Sequence, residues 1–235
     1  MKFLNPIALV KSFFHRKVQY FFFKYEEINL SVTRSLEIEG IHRATQFIFK
    51  NCSNSLIFSK REDLWDFAIM ELKSYPSESI NLELGVANGY SINYFAKKLP
   101  NLTFHGFDSF VGLQENWIGT SLTKGTFDRQ GTLPEVAKNV ILKKGWFDET
   151  LPKFLGELNN PINFLHIDSD TYKSTNYILN LVSNCLSENC MILFDDFFGY
   201  SFWESGQAKA FIEWEKSGEF KYIALSNEEV LVIRN

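Results

Sequence analysis

The chain has 235 residues, 45% of them apolar, enough for one α/β domain with a buried core and extra helices but not for two full domains. A net charge of −4 argues against a general nucleic-acid binder, whose surface is normally basic. The 24 phenylalanines are a compositional bias without a functional reading.

Charge is uneven along the chain. Residues 1–24 hold Lys2, Lys11, Arg16, Lys17 and Lys24 and no acid, whereas the remainder carries 19 basic against 28 acidic residues. Phe3, Ile7, Val10, Phe14, Val18 and Phe21 recur at near-helical steps. Such a helix either rests peripherally on an anionic membrane surface or packs on the domain or on a second subunit of a homo-oligomer, and packing is the preferred expectation. No apolar run is long enough to span a bilayer, and Pro6–Val10 makes a poor signal peptide. Cys52, Cys185 and Cys190 are odd in number and lack CxxC spacing, which suits a reducing, cytoplasmic setting and excludes a zinc or disulfide framework.

Up to about residue 75 the pattern is mostly helical, and Ser59-Lys60-Arg61-Glu62 has the form of a capping box opening a helix that ends near Tyr75-Pro76. Short apolar runs then alternate with helical stretches. Strands are expected at Ile80–Leu84, Thr103–Phe107, Val140–Lys144, Asn163–Ile167, Met191–Phe194, Tyr222–Leu225 and Val230–Ile233. Helices are expected at Ser91–Leu99, Pro134–Asn139, Glu149–Leu155, Ser174–Leu186 and Gln207–Ser217. This alternation implies a mostly parallel sheet covered on both faces. The last two strands are joined by Ser226-Asn227-Glu228-Glu229, too short for a crossover, so they form an antiparallel hairpin. The expected fold is α/β, a doubly wound, Rossmann-like seven-stranded sheet of class I methyltransferase type with an N-terminal helical lid. Residues 1–56 form the helical segment and 57–235 the methyltransferase domain.

The first long strand runs into Glu83-Leu84-Gly85-Val86-Ala87-Asn88-Gly89-Tyr90-Ser91. Two glycines before a helix give a sharp turn whose bare backbone a ligand can approach. The spacing is GxxxG rather than GxGxxG, and Glu83 precedes the first glycine, which suits a cationic sulfonium with an amino group better than a pyrophosphate. Asp108, 23 residues after Gly85 and followed by Ser109, ends the next strand, where a carboxylate accepts both ribose hydroxyls of a nucleoside cofactor. Together these residues point to S-adenosylmethionine (SAM).

Two further strands end in His166-Ile167-Asp168-Ser169-Asp170 and in Asp195-Asp196. Neighbouring strand ends would crowd four acids into one crevice, where two charges ~4 Å apart cost about 4 kcal/mol at an effective dielectric near 20. One or two could simply cap the helices at Thr171 and after Phe198. The stronger expectation is a divalent cation, Mg²⁺, Mn²⁺ or Ca²⁺, on Asp168, Asp195 and Asp196. It would lower the pKa of an acceptor hydroxyl, with Asp170 or Asp168 itself receiving the proton. His166 reads as structural.

The runs GFDSFxGL (Gly106–Leu113), Glu115-Asn116-Trp117, GWFDETLP (Gly145–Pro152), HIDSD (His166–Asp170) with Tyr172, and FDDFFGY (Phe194–Tyr200) resemble macrocin O-methyltransferase and its relatives, bacterial enzymes that methylate sugar hydroxyls of antibiotics. The resemblance covers roughly residues 57–235. It implies SAM, Mg²⁺ on Asp168, Asp195 and Asp196, an adenine site near Asp148, and cofactor contacts from Ile57 and Phe58. Catechol-type relatives carry a lysine base just after the first metal aspartate, where this chain has Thr171-Tyr172-Lys173, so the base stays open between the two aspartates. The expected activity is methyl transfer to a small-molecule hydroxyl, on a sugar or glycosylated metabolite. The competing readings are an NAD-linked oxidoreductase, disfavoured by the glycine spacing, and a non-catalytic SAM-fold scaffold.

Overall fold

The computed structural model describes residues 16–18, 31–215 and 218–235. Most of the basic segment 1–24 lies outside them, so its membrane and packing expectations do too. Helix α1 (Val32–Asn51) leads to a short strand, β1 (Leu56–Ile57), and then α2 (Arg61–Leu72). The alternating part runs β2 (Ile80–Leu84), α3 (Tyr90–Lys98), β3 (Phe104–Asp108), β4 (Val140–Lys144), α4 (Phe147–Gly156), β5 (Ile162–Ile167), α5 (Tyr172–Val182), β6 (Leu186–Phe194), α6 (Gln207–Trp214), β7 (Phe220–Leu225) and β8 (Val230–Arg234).

These strands form one eight-stranded sheet in the order β1-β7-β8-β6-β5-β2-β3-β4. Of the described strands, β8 alone runs against its neighbours, antiparallel to both β6 and β7. The four-residue connection from Leu225 to Val230 therefore makes the expected hairpin. The eighth strand, β1, pairs in parallel with β7 at the sheet edge; two residues are too few to leave a periodic trace in the sequence.

The two-residue strand period sends alternate side chains into two apolar layers. In β6, Ile192 and Phe194 join one cluster with Leu82, Leu84, Leu165 and Ile167. Met191 and Leu193 join the other with Leu64, Trp65, Phe95 and Phe164. Glu83 and His166 point into this second layer, and both are buried.

Two local expectations fail. Residues 134–139 contain no helix. The Ala137 amide donates to Asn93 Oδ1 (2.8 Å), and Asn139 Nδ2 donates to the carbonyls of Ala96, Leu99 and Leu102 at 3.0, 3.1 and 2.8 Å, so this segment serves to close the end of α3. The capping box at Ser59 does not form either: α2 begins after Lys60 without a side-chain cap. Glu62 instead accepts from the Tyr90 hydroxyl at 3.1 Å, and the Ser59 carbonyl accepts from Asn227 Nδ2 at 3.2 Å.

Helix α1 is capped by Ser31, whose hydroxyl accepts from the Arg34 amide at 3.1 Å. It clasps the loop that follows β6. Trp203 Nε1 donates to the Gly40 carbonyl (3.1 Å), Arg43 reaches the Ser201 carbonyl (2.9 Å) and Glu204 (2.7 Å), and Phe47 packs edge-on against Phe198, Trp203 and Tyr222. A Cβ on Gly40 would lie 3.0 Å from Ser201 Cα, a backbone atom that cannot swing aside. No helix among the described residues is long and apolar enough to cross a membrane. Gly40→Leu should lower stability by about 1–3 kcal/mol through overpacking, read as a lower urea midpoint; an unchanged midpoint would show that the loop yields.

Candidate active site

The carboxyl ends of the parallel strands open on a cleft of about 610 Å³. Its floor begins at the turn after β2. Gly85 has φ +100°, and a Cβ there would sit 1.6 Å from the Asp168 carbonyl oxygen, so the residue must be glycine for β2 and β5 to run side by side. Gly89, at φ +79°, ends the turn and starts α3. Asp108, at the tip of β3, binds this turn: its Oδ2 accepts from the Val86 and Ala87 amides, each at 2.8 Å, and its Oδ1 from the Phe110 amide at 2.6 Å. A carboxylate offers about four lone-pair sites, so Asp108 organises the turn and keeps acceptor capacity toward the cleft it lines.

Of the residues expected at the cofactor, Gly85, Val86, Ser91, Asp108 and Ser109 line the cleft, together with Asp168, Asp170, Asp195 and Asp196. Four side chains lie elsewhere. Glu83 is 1% exposed and sits beneath the floor, because its place in the strand alternation turns it into the apolar layer. Ile57 is 70% exposed on β1, separated from β2 by four strands. Phe58 packs on Phe67 of α2 with ring centroids 5.9 Å apart. Asp148 is exposed in the first turn of α4, and its neighbours Gly145, Trp146 and Phe147 line the cleft instead. Gly89 shapes the turn without facing the cleft.

The acids converge. One carboxylate oxygen from each of Asp168, Asp195 and Asp196 lies within 4.8 Å of the others. Two cations approach Asp195 Oδ1: Arg61 of α2 hydrogen-bonds it directly, and His166 Nε2 stands 3.6 Å away. His166 Nδ1 pairs with Glu83 Oε2 at 2.9 Å, and Ser91 donates to Glu83 Oε1 at 3.0 Å. His166 is thus more than packing, since it links a buried carboxylate to the acidic cluster.

These contacts divide the acids into two kinds. Burial alone would raise Asp195, but His166 and Arg61 overcome it and hold its pKa well below the usual carboxylate range. Burial would lower His166, yet its contacts with Asp195 and Glu83 outweigh that and hold its pKa well above the ordinary value. Asp168 and Asp196 are raised well above theirs, by burial first and then by neighbouring acids. Asp170, in the left-handed region at φ +59°, is pushed up to about 7 by burial and the charges of Asp195 and Asp108. Asp196 Oδ2 is buried and finds no hydrogen-bond partner among the described residues. Three converging carboxylates, two of them uncompensated and one with an orphaned oxygen, fit a hard divalent cation.

Sequence reasoning missed Arg61, Trp65, Trp117 and Phe127, all of which line the cleft. The first two belong to the helix whose start reads in the sequence only as a capping box. The others come from the long β3–β4 connection, where Trp117 packs edge-on against Tyr200 at 5.5 Å. Lys173 is 78% exposed and pairs with Glu115 rather than entering the cleft.

Residues 82–197 match a family described as a methyltransferase domain. The calicheamicin methyltransferase CalS11 superposes with a TM-score of 0.58 at 19% identity, over 87% of this chain and 93% of that one. Its apo structure is described as a TDP-rhamnose 3′-O-methyltransferase. The O-methyltransferase NovP gives 0.52 at 19% identity, over 72% and 77% of the two chains. An O-methyltransferase from Bacillus cereus in complex with SAH gives 0.51 at 11% identity, over 89% and 96%. No curated protein matches the sequence. The fold is that of a class I methyltransferase. In that fold the antiparallel β8 and the glycine turn after β2 have direct structural reasons, and Asp108 becomes the residue on which the turn depends. Asp108→Asn places an amide N–H against backbone N–H groups whichever way it is turned. It should cost about 1.5–3 kcal/mol of binding through lost charge-assisted bonds, measured by calorimetric titration with SAH; unchanged affinity would remove Asp108 from the site.

Proposed function

We propose that the chain is a SAM-dependent, divalent-metal-dependent O-methyltransferase acting on a hydroxyl of a small molecule, in the class of sugars and glycosylated metabolites, of the kind represented by macrocin O-methyltransferase. The observation that carries this reading is the meeting of Asp168, Asp195 and Asp196 within 4.8 Å beside the glycine turn. The methyltransferase-domain match over residues 82–197 and the fold shared with CalS11 support it, and the sugar class rests on what CalS11 is described as methylating.

Gly85, Val86 and Asp108 would hold the nucleoside end of SAM, which would supply the methyl group as an electrophilic sulfonium. Asp168, Asp195 and Asp196 would hold Mg²⁺ or another divalent cation, which would supply Lewis acidity to lower the pKa of an acceptor hydroxyl. Asp170 takes the proton: it lines the same cleft, the three other acids are committed to the cation, and Lys173 points away to Glu115. Trp117, Trp146 and Phe147 give the cleft an aromatic wall.

Purified protein should bind SAH by calorimetry and show no comparable affinity for NAD; tighter NAD binding sinks the cofactor assignment. Removal of divalent metal should abolish transfer to a true acceptor, found by a screen over sugars, phenols and glycolipids, while SAH binding persists. Full turnover by enzyme confirmed free of metal would overturn the metal reading. Asp195→Asn should lower Mn²⁺ affinity by at least the roughly 10-fold expected even for a residue that only supports a ligand, with activity partly recovered at high Mg²⁺. Asp170→Asn should reduce turnover and leave metal affinity nearly unchanged; an equal loss of both would make Asp170 a ligand instead of the base.

A further inference from the structure

Glu229 is a second buried acid that Arg61 contacts. It lies at the end of the β7–β8 hairpin turn, is 0% exposed, and is surrounded by donors. Its Oε1 accepts three hydrogen bonds: from Arg61 Nε at 3.1 Å, Arg61 Nη2 at 2.9 Å and Trp65 Nε1 at 2.9 Å. Its Oε2 accepts one from the Ser226 hydroxyl at 3.2 Å. The Arg61 guanidinium also lies over the Trp65 ring, 4.8 Å from its centroid. The same Nη2 that meets Glu229 meets Asp195 Oδ1. A buried carboxylate on the hairpin therefore fixes a guanidinium on α2, which in turn fixes a carboxylate at the end of β6.

A second connection runs from the same turn. The Glu228 carbonyl accepts from the amides of Phe197 and Phe198, both at 2.9 Å, so the hairpin also holds the backbone directly after Asp196. On the far side, the Asp195 amide donates to the Ile167 carbonyl at 3.0 Å. The Asp195-Asp196 pair is thus pinned from the β5 side by the sheet and from the other side by the hairpin turn.

We infer that Glu229 is a positioning residue for the metal site, acting through Arg61 to set the orientation of Asp195. The inference rests on the metal reading given above. Partners that orient a ligand govern metal affinity strongly, because a carboxylate free to rotate must lose that freedom on binding. The function of Glu229 is to accept at a fixed reach, not to supply charge. Two substitutions separate these roles. Glu229→Asp keeps the charge and withdraws the carboxylate by one methylene, out of reach of Arg61. Glu229→Gln gives up the charge but keeps an oxygen where Oε1 stands, while its amide can donate to Ser226 Oγ.

The experiment is Mn²⁺ titration of the full chain by electron paramagnetic resonance, with SAH affinity and melting temperature measured on the same samples. Glu229→Asp should lose about 10–100-fold in Mn²⁺ affinity with SAH affinity retained, and Glu229→Gln should stay close to the unsubstituted protein. The opposite order, Gln weak and Asp unchanged, would make charge the contribution of Glu229 and overturn the inference. So would a lower melting temperature for Glu229→Asp with Mn²⁺ affinity unmoved, which marks a merely structural group. Absence of Mn²⁺ binding by the unsubstituted protein would overturn the metal reading itself, and this inference with it.

Discussion

The constraint on which the rest of the structure depends is electrostatic: acids from two adjacent strand ends are held closer together than carboxylates tolerate. At ~4 Å and an effective dielectric near 20, one such repulsion costs about 4 kcal/mol. A fold stable only by several kcal/mol cannot leave it uncompensated. The protein answers in part with its own cations. His166 and Arg61 approach a single oxygen of Asp195 and hold its pKa well below the usual carboxylate range. Asp168 and Asp196 receive no such partner and are pushed toward protonation. The fixed cations therefore compensate one acid and leave two without a cationic hydrogen-bond partner among the described residues, a donor set that fits a hard divalent cation.

Holding this arrangement requires rigidity that the strand ends do not possess alone. Gly85 lets the β2 turn press directly on the Asp168 backbone, so the first acid is backed by main chain. Gln207, itself buried, accepts from the Asp196 amide at 3.3 Å. The loop after Asp196 is gripped by the hairpin carbonyl of Glu228 and by α1 through Gly40, Arg43 and Phe47. A helix that touches none of the acids thus contributes to their placement by packing against the loop that leaves them.

Much of this was legible in the sequence for a physical reason. Strands buried on both faces must be apolar throughout, so an acid at a strand end stands out. Glu83, Asp108, Asp168 and the Asp195-Asp196 pair were visible in that way, and parallel topology brought the last four to one edge. What could not be read was direction. Glu83 is one residue from facing the cleft, and the two-residue strand period decides that it points into the core. Arg61 looked like any charge in a first helical turn; its partner Glu229 lies 168 residues later, across a contact that no local pattern encodes. The helix expected at 134–139 failed because side chains of Asn93 and Asn139 capture the polar groups around that segment, another distant interaction.

The same division runs through the cleft. Its acids sit at strand ends, whose positions follow from hydrogen-bond register and burial. The wall facing them comes from residues 109–133, a connection with Phe110, Phe127 and Gln130 in the left-handed region and glycines at 112, 119, 125 and 131 also at positive φ. Such a path is set by individual turns rather than by a repeating pattern, so side-chain substitutions along it leave the strands undisturbed. Trp117 is carried on this loop to Tyr200, which follows the Asp195-Asp196 pair, and Glu115 on it is tied to Lys173 at the start of α5. The loop is therefore anchored on both sides of the acidic cluster. The acidic cluster and the aromatic wall opposite it therefore belong to different parts of the fold, the first set by strand register and the second by the turns of a long connection.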